Sequence, residues 1–473
     1  MTKEFFKNVV NHIKELISGT EFDGKTYVVG GAVRDFVMDN EIKDIDIVVE
    51  LCDGGIKFAN WMKENGYTVG SVITYPTYGT AMFRLKEFPD IEIECVQTRK
   101  EQYKDKNSRN PETEYGTILE DALRRDLTIN ALYWGISNEA IIDPTTKGIK
   151  DIMEHRIRVT SDPNIVFSDD PLRMMRVIRF SCRFGWDIEE ETFQGIVLNT
   201  KRLSIITKER ISDELNKILM TKNAVNGIYM LMQTNLCLNI IPELYEMEDM
   251  QQNKYHIGDV LTHSLAVLDL VVRRPYWGSS TLITRMAALL HDIGKIKVRT
   301  IDDNGNVHFY KHELASVELV ETILKRLKYS NDFIEKVKFL VKNHMRTKQW
   351  GDICEHMKDK TLRKLQYECG YTKFFALMTL IDADNKSHAE GYCLPNQVSA
   401  ICKRTNEMID DGSDMFDYYL PIDGNDVMEI KNLKPCKAVR ECLDYAIKLA
   451  YNNPKMDREL MLKHVKGYKI KKK

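Results

Sequence analysis

Apolar and polar residues alternate with a period of two in five short stretches, all in the first third of the chain: 27–29, 45–49, 80–85, 91–96 and 128–133. Alternation of this kind puts one face of a strand on a core, so each stretch is predicted as a β-strand. Beyond Pro144 the period lengthens to 3.6 and strands all but vanish. Helices are predicted over 171–184, 207–220, 260–272, 282–292, 312–327, 332–343, 360–384, 437–451 and 457–465. Met1–Ile17 is amphipathic at the same spacing and carries Glu4 and Glu15, which suits an ordinary first helix rather than a secretory signal. Asp143, Pro144 and Gly148 mark the end of a small α/β domain, and an acidic, turn-rich interval at 410–417 precedes the last two helices. The fold class expected is α+β, a small α/β head followed by an all-α remainder.

A length of 473 residues allows roughly three domains at about 150 residues each. At 43% hydrophobic and 29% charged with only 12 Pro, the chain is not collagen-like, low-complexity or wholly disordered. No apolar run approaches the ~20 residues that span a bilayer. The ten cysteines are scattered without a CxxC pair, the usage expected of a cytoplasmic protein with reduced thiols. A net charge of −2 means that a polyanion would need local positive charge. Leu172–Arg210 supplies eight basic residues against five acidic ones, and Lys463–Lys473 six lysines and no acid. Solvated helix faces and a frayed tail would look the same.

Chemistry is concentrated in four places in the first half. Tyr27-Val28-Val29-Gly30-Gly31 runs from a strand into a helix, where two glycines let a phosphate approach backbone N–H groups. No Gly-Lys-Ser/Thr follows, so it is not a P-loop. Asp44 and Asp46, at i and i+2, share a strand face while Ile45 and Ile47 take the core side. Two such carboxylates repel unless a cation such as Mg²⁺ lies between them. Glu92 and Glu94 form a second pair on 91–96 and offer a third carboxylate, the set that two-metal phosphoryl or nucleotidyl transfer needs. Arg124-Arg125-Asp126 combines phosphate-binding guanidiniums with an acceptor for a ribose hydroxyl. Asp170 and Arg173, at i and i+3, pair an acceptor with a donor on one helix face. C and A each present an amino donor beside a ring-nitrogen acceptor, whereas U and G present the reverse. A rigid Asp/Arg pair would therefore accept CTP and ATP and reject UTP and GTP. Each feature alone has a plainer reading: a tight turn, a surface strand, a helix-end salt bridge.

A second constellation lies in the middle of the chain: His263, the doublet His291-Asp292, His312, His344 and Asp384, with Asp382 competing for the last place. A single histidine at a helix end is usually structural, but this many on successive helices suit a divalent ion, Mg²⁺ or a transition metal.

In their order, Gly30-Gly31-x-x-Arg34-Asp35, Asp44-x-Asp46, Arg124-Arg125-Asp126-x-x-x-Asn130-Ala131 and Asp169-Asp170-x-x-Arg173 resemble the tRNA nucleotidyltransferases. More narrowly they resemble class II CCA-adding enzymes, whose family includes bacterial poly(A) polymerases. Residues 25–220 carry the likeness, and Leu420–Asp426 resembles a segment of the family's tRNA-binding part. The resemblance implies a nucleotidyltransferase head with a mixed sheet over 1–150, a helical neck over 151–250, a body over 251–392 and a helical tRNA-binding tail over 393–473. It implies Asp44 and Asp46 as Mg²⁺ ligands and Glu94 as the third catalytic carboxylate. Gly30, Gly31, Arg34, Arg125, Asp126, Asn130, Asp169, Asp170, Arg173 and Arg176 would bind nucleotide, and Arg179 and Arg183 would meet RNA. The family usually has Glu where Asp169 stands. Asp143–Asp151 resembles its hinge. Members that add only CC look shortened within 100–121, and this chain does not, which favours full CCA addition over CC-only. Poly(A) polymerases typically carry a long basic extension, and the eleven-residue tail here is modest, while A-only addition is a further alternative. The middle of the chain resembles the HD superfamily of metal-dependent phosphohydrolases. His263, His291, Asp292 and Asp384 match the core pattern there, and His312 and His344 its two-metal form. The implied partners are the tRNA acceptor arm, CTP and ATP, with neither membrane nor DNA. A phosphohydrolase whose head only recruits RNA is the rival from another class.

Overall fold

The computed structural model describes residues 1–76, 79–102, 112–253, 255, 257–273 and 281–470. The polar run Lys104–Arg109 and the terminal Lys471–Lys473 lie outside them. Two compact units divide the chain, Met1–Ile240 and Ile241–Lys473.

The first unit carries β1 (Thr26–Val29), β2 (Ile45–Val49), β3 (Thr68–Tyr75), β4 (Thr80–Leu85), β5 (Glu92–Gln97), β6 (Arg99–Gln102), β7 (Glu112–Tyr115), β8 (Tyr133–Gly135) and β9 (Ile141–Ile142). β6 and β7 form a separate hairpin, and the rest make a seven-stranded sheet ordered β3-β4-β5-β2-β1-β8-β9. Only β2 and β5 run parallel, so the sheet is mixed as expected. β2 shows why the alternation is readable: Ile45 and Ile47 are fully buried while Asp46 is exposed. The helix Lys3–Ile17, capped by Thr2, buries Phe6, Val9, Val10, Ile13 and Ile17, the i, i+3, i+4, i+7 stripe of a surface helix.

Several elements differ from expectation, and β6, β7 and β9 are among the strands not predicted. The strand predicted at 128–133 is a 3₁₀ turn, Thr128–Asn130, with extended chain only from Tyr133. Thr128 is held there by its N–H to the Arg158 carbonyl (3.0 Å) and its hydroxyl to Asp151 (2.6 Å). β3 is absent from the predicted strands: it is a largely exposed edge strand whose register shifts between Val69 and Ile73, which blurs the period of two. The long helix predicted at 360–384 spans Asp359–Lys386 but breaks at Gly370, where φ is 63°. Two short strand pairs also occur beyond Pro144, Arg156–Ile157 with Asp187–Ile188 and Thr300–Ile301 with Val307–His308.

The remainder of the first unit is helical, and Leu172–Phe184 packs on Lys208–Leu219 and Ala224–Gln233 before Gly185, at φ 72°, ends it. The second unit packs Val260–Arg273, Leu282–Leu290, His312–Arg326, Asn331–Asn343 and Asp359–Lys386 together. Its last helices, Gly424–Lys431, Lys437–Asn452 and Arg458–Gly467, share a core of Met415, Val427, Cys442, Ala446, Met461 and Val465. The family-like segment Leu420–Asp426 caps the first of these helices. Asp423 accepts from the N–H groups of Asn425 and Asp426, and Asp426 accepts from the N–H of Asp423. All ten cysteines are free thiols. Among the described residues no helix is long and apolar enough to cross a membrane.

Candidate functional site

The parallel pairing of β2 and β5 sets Asp46 directly across from Glu94, both exposed on one face, with Asp44 just ahead of β2. The surrounding protein limits hydration of the Asp46 carboxyl, and Glu94 and Asp44 repel its charge. Together these outweigh the attraction of Arg125 and push it up to about 6. Glu92, the other acid on β5, is drawn to Arg84 at 3.3 Å. Among the described residues the three head carboxylates do not bring ligand atoms within 4.8 Å of one another.

Facing them is the turn at Gly30, whose φ of 76° favours glycine. A Cβ there would stand 3.6 Å from the Arg125 guanidinium. Arg125 is held by Asp121, which also holds Arg124 (2.6 Å) and accepts from the Tyr133 hydroxyl (2.6 Å). Burial would raise the Asp121 pKa, but Arg125 and Arg124 prevail and bring it to about 2. Sequence reasoning missed Asp121; its signal was an acid three and four residues ahead of a double arginine.

Several residues predicted to touch nucleotide are bound to one another. Arg34 is buried, forks onto Asp35 with two 2.9 Å bonds and donates to the Asn130 side-chain oxygen. Asn130 donates to Asp126 (3.1 Å), and Asp126 also accepts from Arg176 (2.7 Å). Burial opposes ionisation of Asp126, yet Arg176 and Asn130 hold its pKa at about 2. The chain Asp35–Arg34–Asn130–Asp126–Arg176 thus ties the Gly-Gly helix to Leu172–Phe184.

Asp170 and Arg173 do not share a helix. Asp170 lies in extended chain between Pro163–Asp169 and Leu172–Phe184, because Pro171 starts the second helix. One Asp170 oxygen accepts from the Leu172 N–H (3.1 Å), and the other is 3.1 Å from Arg210. Arg173 is buried and donates to the Val166 carbonyl (3.3 Å); Asp169 is half-buried beside them. Arg179 faces inward to Glu214 at 2.6 Å, whereas Arg183 remains exposed on the Phe184 ring. The hinge-like interval is closed by hydrogen bonds: Asp143 accepts from Thr145 (2.8 Å) and from the Ile149 N–H (3.0 Å).

In the second unit the predicted histidines and aspartates converge. His263, His291 and Asp292 bring ligand atoms within 4.8 Å of one another, and so do Asp292, His312 and His344, with Asp292 common to both. His291, His312 and His344 each turn Nδ1 to the carbonyl three residues earlier, at 2.9, 3.0 and 2.7 Å. That fixes each ring and points Nε2 at the cluster. Asp384 joins at 3.2 Å from His263. Asp382 instead pairs with Lys386 (2.8 Å), so Asp384 is the acid on the cluster. The His291 Nε2, fully buried, has no hydrogen-bond partner. Imidazole nitrogens and carboxylate oxygens in a nearly dry site, one nitrogen orphaned, fit a divalent cation.

Three neighbours escaped sequence reasoning: Lys295, 2.6 Å from Asp292; Lys348, 3.0 Å from Asp384; and His388, which turns Nδ1 to the Asp384 carbonyl at 2.6 Å. Lysines are common, and nothing in their spacing marks these two. Burial opposes ionisation of Asp292, but His291 and Lys295 hold it well below the usual carboxylate range. Gly294 lets the doublet sit against the next helix, since a Cβ there would run into the Ser316 nitrogen and the His312 carbonyl. Gly294→Ala is therefore expected to cost at least about 1–3 kcal/mol of stability through overpacking. Thermal unfolding measures this, and an unchanged Tm would contradict the close approach.

Comparison with known proteins gives three family matches: the "Poly A polymerase head domain" over 26–158, the "Probable RNA and SrmB- binding site of polymerase A" over 185–247 and the "HD domain" over 260–370. An A-adding tRNA nucleotidyltransferase of Deinococcus radiodurans is 34% identical over 235 residues, 48% of this chain and 52% of that protein. A multifunctional CCA protein of Janthinobacterium sp. (strain Marseille) is 32% identical over 321 residues, 65% of this chain and 70% of that protein. The chain spans about half the length of several curated relatives that it matches. The crystal structure of Bacillus stearothermophilus CCA-adding enzyme in complex with CTP is similar in fold, with a TM-score of 0.67, 20% identity and coverage of 97% of this chain and 96% of that one. With a relative matched at this identity over most of its own length, and with the head-domain model matched over 26–158, the chain belongs to the tRNA nucleotidyltransferase and poly(A) polymerase family.

Proposed function

We propose that the chain adds C, C and then A to the 3′ end of tRNA, from CTP and ATP and without a nucleic-acid template. The observation that carries this reading is Asp46 in register with Glu94, beside Asp44, on the face of the Gly30 turn and Arg125. Asp44 and Asp46 would hold Mg²⁺, which supplies positive charge to the triphosphate. Glu94 accepts the proton of the RNA 3′-hydroxyl. Arg125, fixed by Asp121, meets the triphosphate together with the first-turn N–H groups of Gly31–Val37. Arg34, Asn130 and Asp126 position these groups through their mutual bonds. Asp170, steadied by Arg210, and Arg173 present an acceptor and a donor to the incoming base. Exposed Arg183 and the lysines near the C-terminus meet RNA phosphates, so tRNA binding should weaken steeply with salt. In this reading the head, neck, body and tail extend over 1–150, 151–250, 251–392 and 393–473, and free thiols suit a cytoplasmic setting.

The deciding experiment supplies a tRNA transcript lacking its 3′ CCA with CTP, ATP or both, and sequences the products. Addition of CC alone, of a single A to a CC-ended transcript only, or of a long A tail would each replace the proposed product. The A-adding relative makes the second of these the principal rival. Arg173→Ala is expected to lower discrimination against UTP and GTP about ten- to a hundred-fold, the worth of one well-placed base contact. Incorporation of each nucleotide by wild type and variant measures it, and an unchanged ratio would remove Arg173 from base selection.

A second activity is favoured by the two ligand groups that share Asp292. We infer that the body hydrolyses a phosphate ester or cyclic phosphate, with His263, His291, Asp292, His312, His344 and Asp384 holding divalent ions that polarise the phosphoryl group. If that were the main activity and the head only recruited RNA, Asp44→Ala would leave the protein's activity intact.

A further inference from the structure

Resting on the phosphohydrolase reading of the body, we infer that Lys348 forms the anion-binding mouth of the His/Asp cluster, receiving a phosphoryl oxygen of a doubly charged phosphate monoester. Around the cluster the side chains of His263, His291, Asp292, His344, Asp384 and Lys295 are at most 3% exposed. Lys348 is 21% exposed, against 11% and 10% for His388 and His312; at the His312 end the acidic Glu313, 3.9 Å away, is 26% exposed. Lys348 is therefore the most exposed cation in contact with the cluster.

The contacts of that ammonium suit an exchange. It lies 3.0 Å from Asp384, donates to the Asn385 side-chain oxygen at 2.9 Å and reaches the His388 Nε2 at 3.3 Å. His388 uses its Nδ1–H on the Asp384 carbonyl, which leaves Nε2 as an acceptor. Two of the three partners of Lys348 are therefore neutral acceptors. A phosphoryl oxygen that displaces one of them replaces a bond from the ammonium to a neutral acceptor with one between opposite charges. Asp384 stays in place and keeps the ammonium at the rim.

The charge balance selects the ligand. Lys295 on Asp292 and Lys348 on Asp384 already offset the two carboxylates of the cluster. Bound divalent ions then leave the mouth with excess positive charge, which favours a dianion over a monoanion. Lys348 would thus be a specificity-determining residue, separating terminal monoesters from singly charged diesters.

The test compares wild type, Lys348→Met and Lys348→Arg as full chains loaded with Ni²⁺. Readouts are metal content, hydrolysis of p-nitrophenyl phosphate and of its methyl diester, and calorimetric binding of inorganic phosphate. Lys348→Met should weaken phosphate binding and raise the monoester KM by tenfold or more. Metal content and diester KM should change less than threefold, and Lys348→Arg should stay within threefold of wild type throughout. Equal phosphate affinity in wild type and Lys348→Met, or equal losses for monoester and diester, would overturn the assignment. If wild type hydrolyses neither ester, the activity reading of the body fails separately. Phosphate affinity then still decides the role of Lys348, and no binding by wild type rejects it. Should Lys348→Met not fold, Lys348→Gln, which keeps a donor without the charge, is read in the same way.

Discussion

Asp46→Asn is expected to reduce CMP and AMP incorporation about a thousand-fold or more while raising the thermal stability of the metal-free protein at neutral pH. On the proposed function, the loss follows from removing a charge that would hold Mg²⁺ for the triphosphate, the kind of electrostatic contribution that dominates such reactions. The gain follows from the same residue. Asp46 stands across from Glu94 and beside Asp44, and incomplete hydration with two like charges lifts its pKa from 3.8 to about 6. A carboxyl raised in the folded state binds protons more tightly there than in the unfolded chain. Folding therefore loses stability as pH rises from about 3.8 through about 6, and wild type carries the full penalty at pH 7–8. Asparagine carries none. In EDTA the variant should melt above wild type at pH 7.5, and the gap should close as pH falls from 6 to 4. Added Mg²⁺ should raise the wild-type Tm and leave the variant unmoved. A variant that keeps incorporation, or that melts below wild type in EDTA at pH 7.5, would show that these carboxylates are not a charge cluster built for a cation.

What could be read in the chain beforehand follows from how far apart in sequence the interacting groups lie. Asp46 was legible because Ile45 and Ile47 announce the strand and fix which face the carboxylate takes. The histidines were legible because imidazoles on successive helices are rare enough to notice, and each ring is oriented by a carbonyl only three residues away. The partners of Asp170 were not legible. An i, i+3 relation to Arg173 presumes one continuous helix, whereas Pro171 begins a new one and Asp170 meets Arg210, forty residues on. Asp126 was read beside the double arginine as an acceptor for a ribose hydroxyl, and Asn130 entered only through the family resemblance. What spacing did not reveal is their bonds to Arg34, ninety-six residues from Asn130, and to Arg176, fifty from Asp126. Lys295 and Lys348 were hidden for the opposite reason: in a chain with 68 Lys and Arg, two more lysines carry no signal until the fold sets them on buried carboxylates. Local geometry can be inferred from spacing, while a network closed by long-range contacts cannot.

Asp292→Asn is expected to empty both halves of the body cluster of metal and abolish phosphate-ester hydrolysis, with nucleotide incorporation retained. Asp292 is the one residue common to the two groups of potential ligands, so its loss differs in kind from that of any histidine. His291→Ala removes a ligand from the first group and leaves Asp292, His312 and His344 together, so it should abolish hydrolysis while keeping part of the bound metal. Elemental analysis of the two purified variants separates these cases. A further cost falls on Asp292→Asn alone. Lys295, almost fully buried, has its ammonium 2.6 Å from Asp292, and an amide leaves that charge without its counter-ion. Uncompensated charges of this kind cost about 3–5 kcal/mol. The donation of Lys295 to Gln252, at 2.6 Å, offsets a fraction of this because Gln252 is neutral. The body of Asp292→Asn should therefore unfold at lower temperature than that of His291→Ala, and Asp292→Asn combined with Lys295→Met should recover part of the difference, since the orphaned charge is gone. If the double variant were no more stable than Asp292→Asn, the lysine would not be the counter-charge of the cluster. If Asp292→Asn still bound metal to the wild-type level, the two groups would not share a ligand.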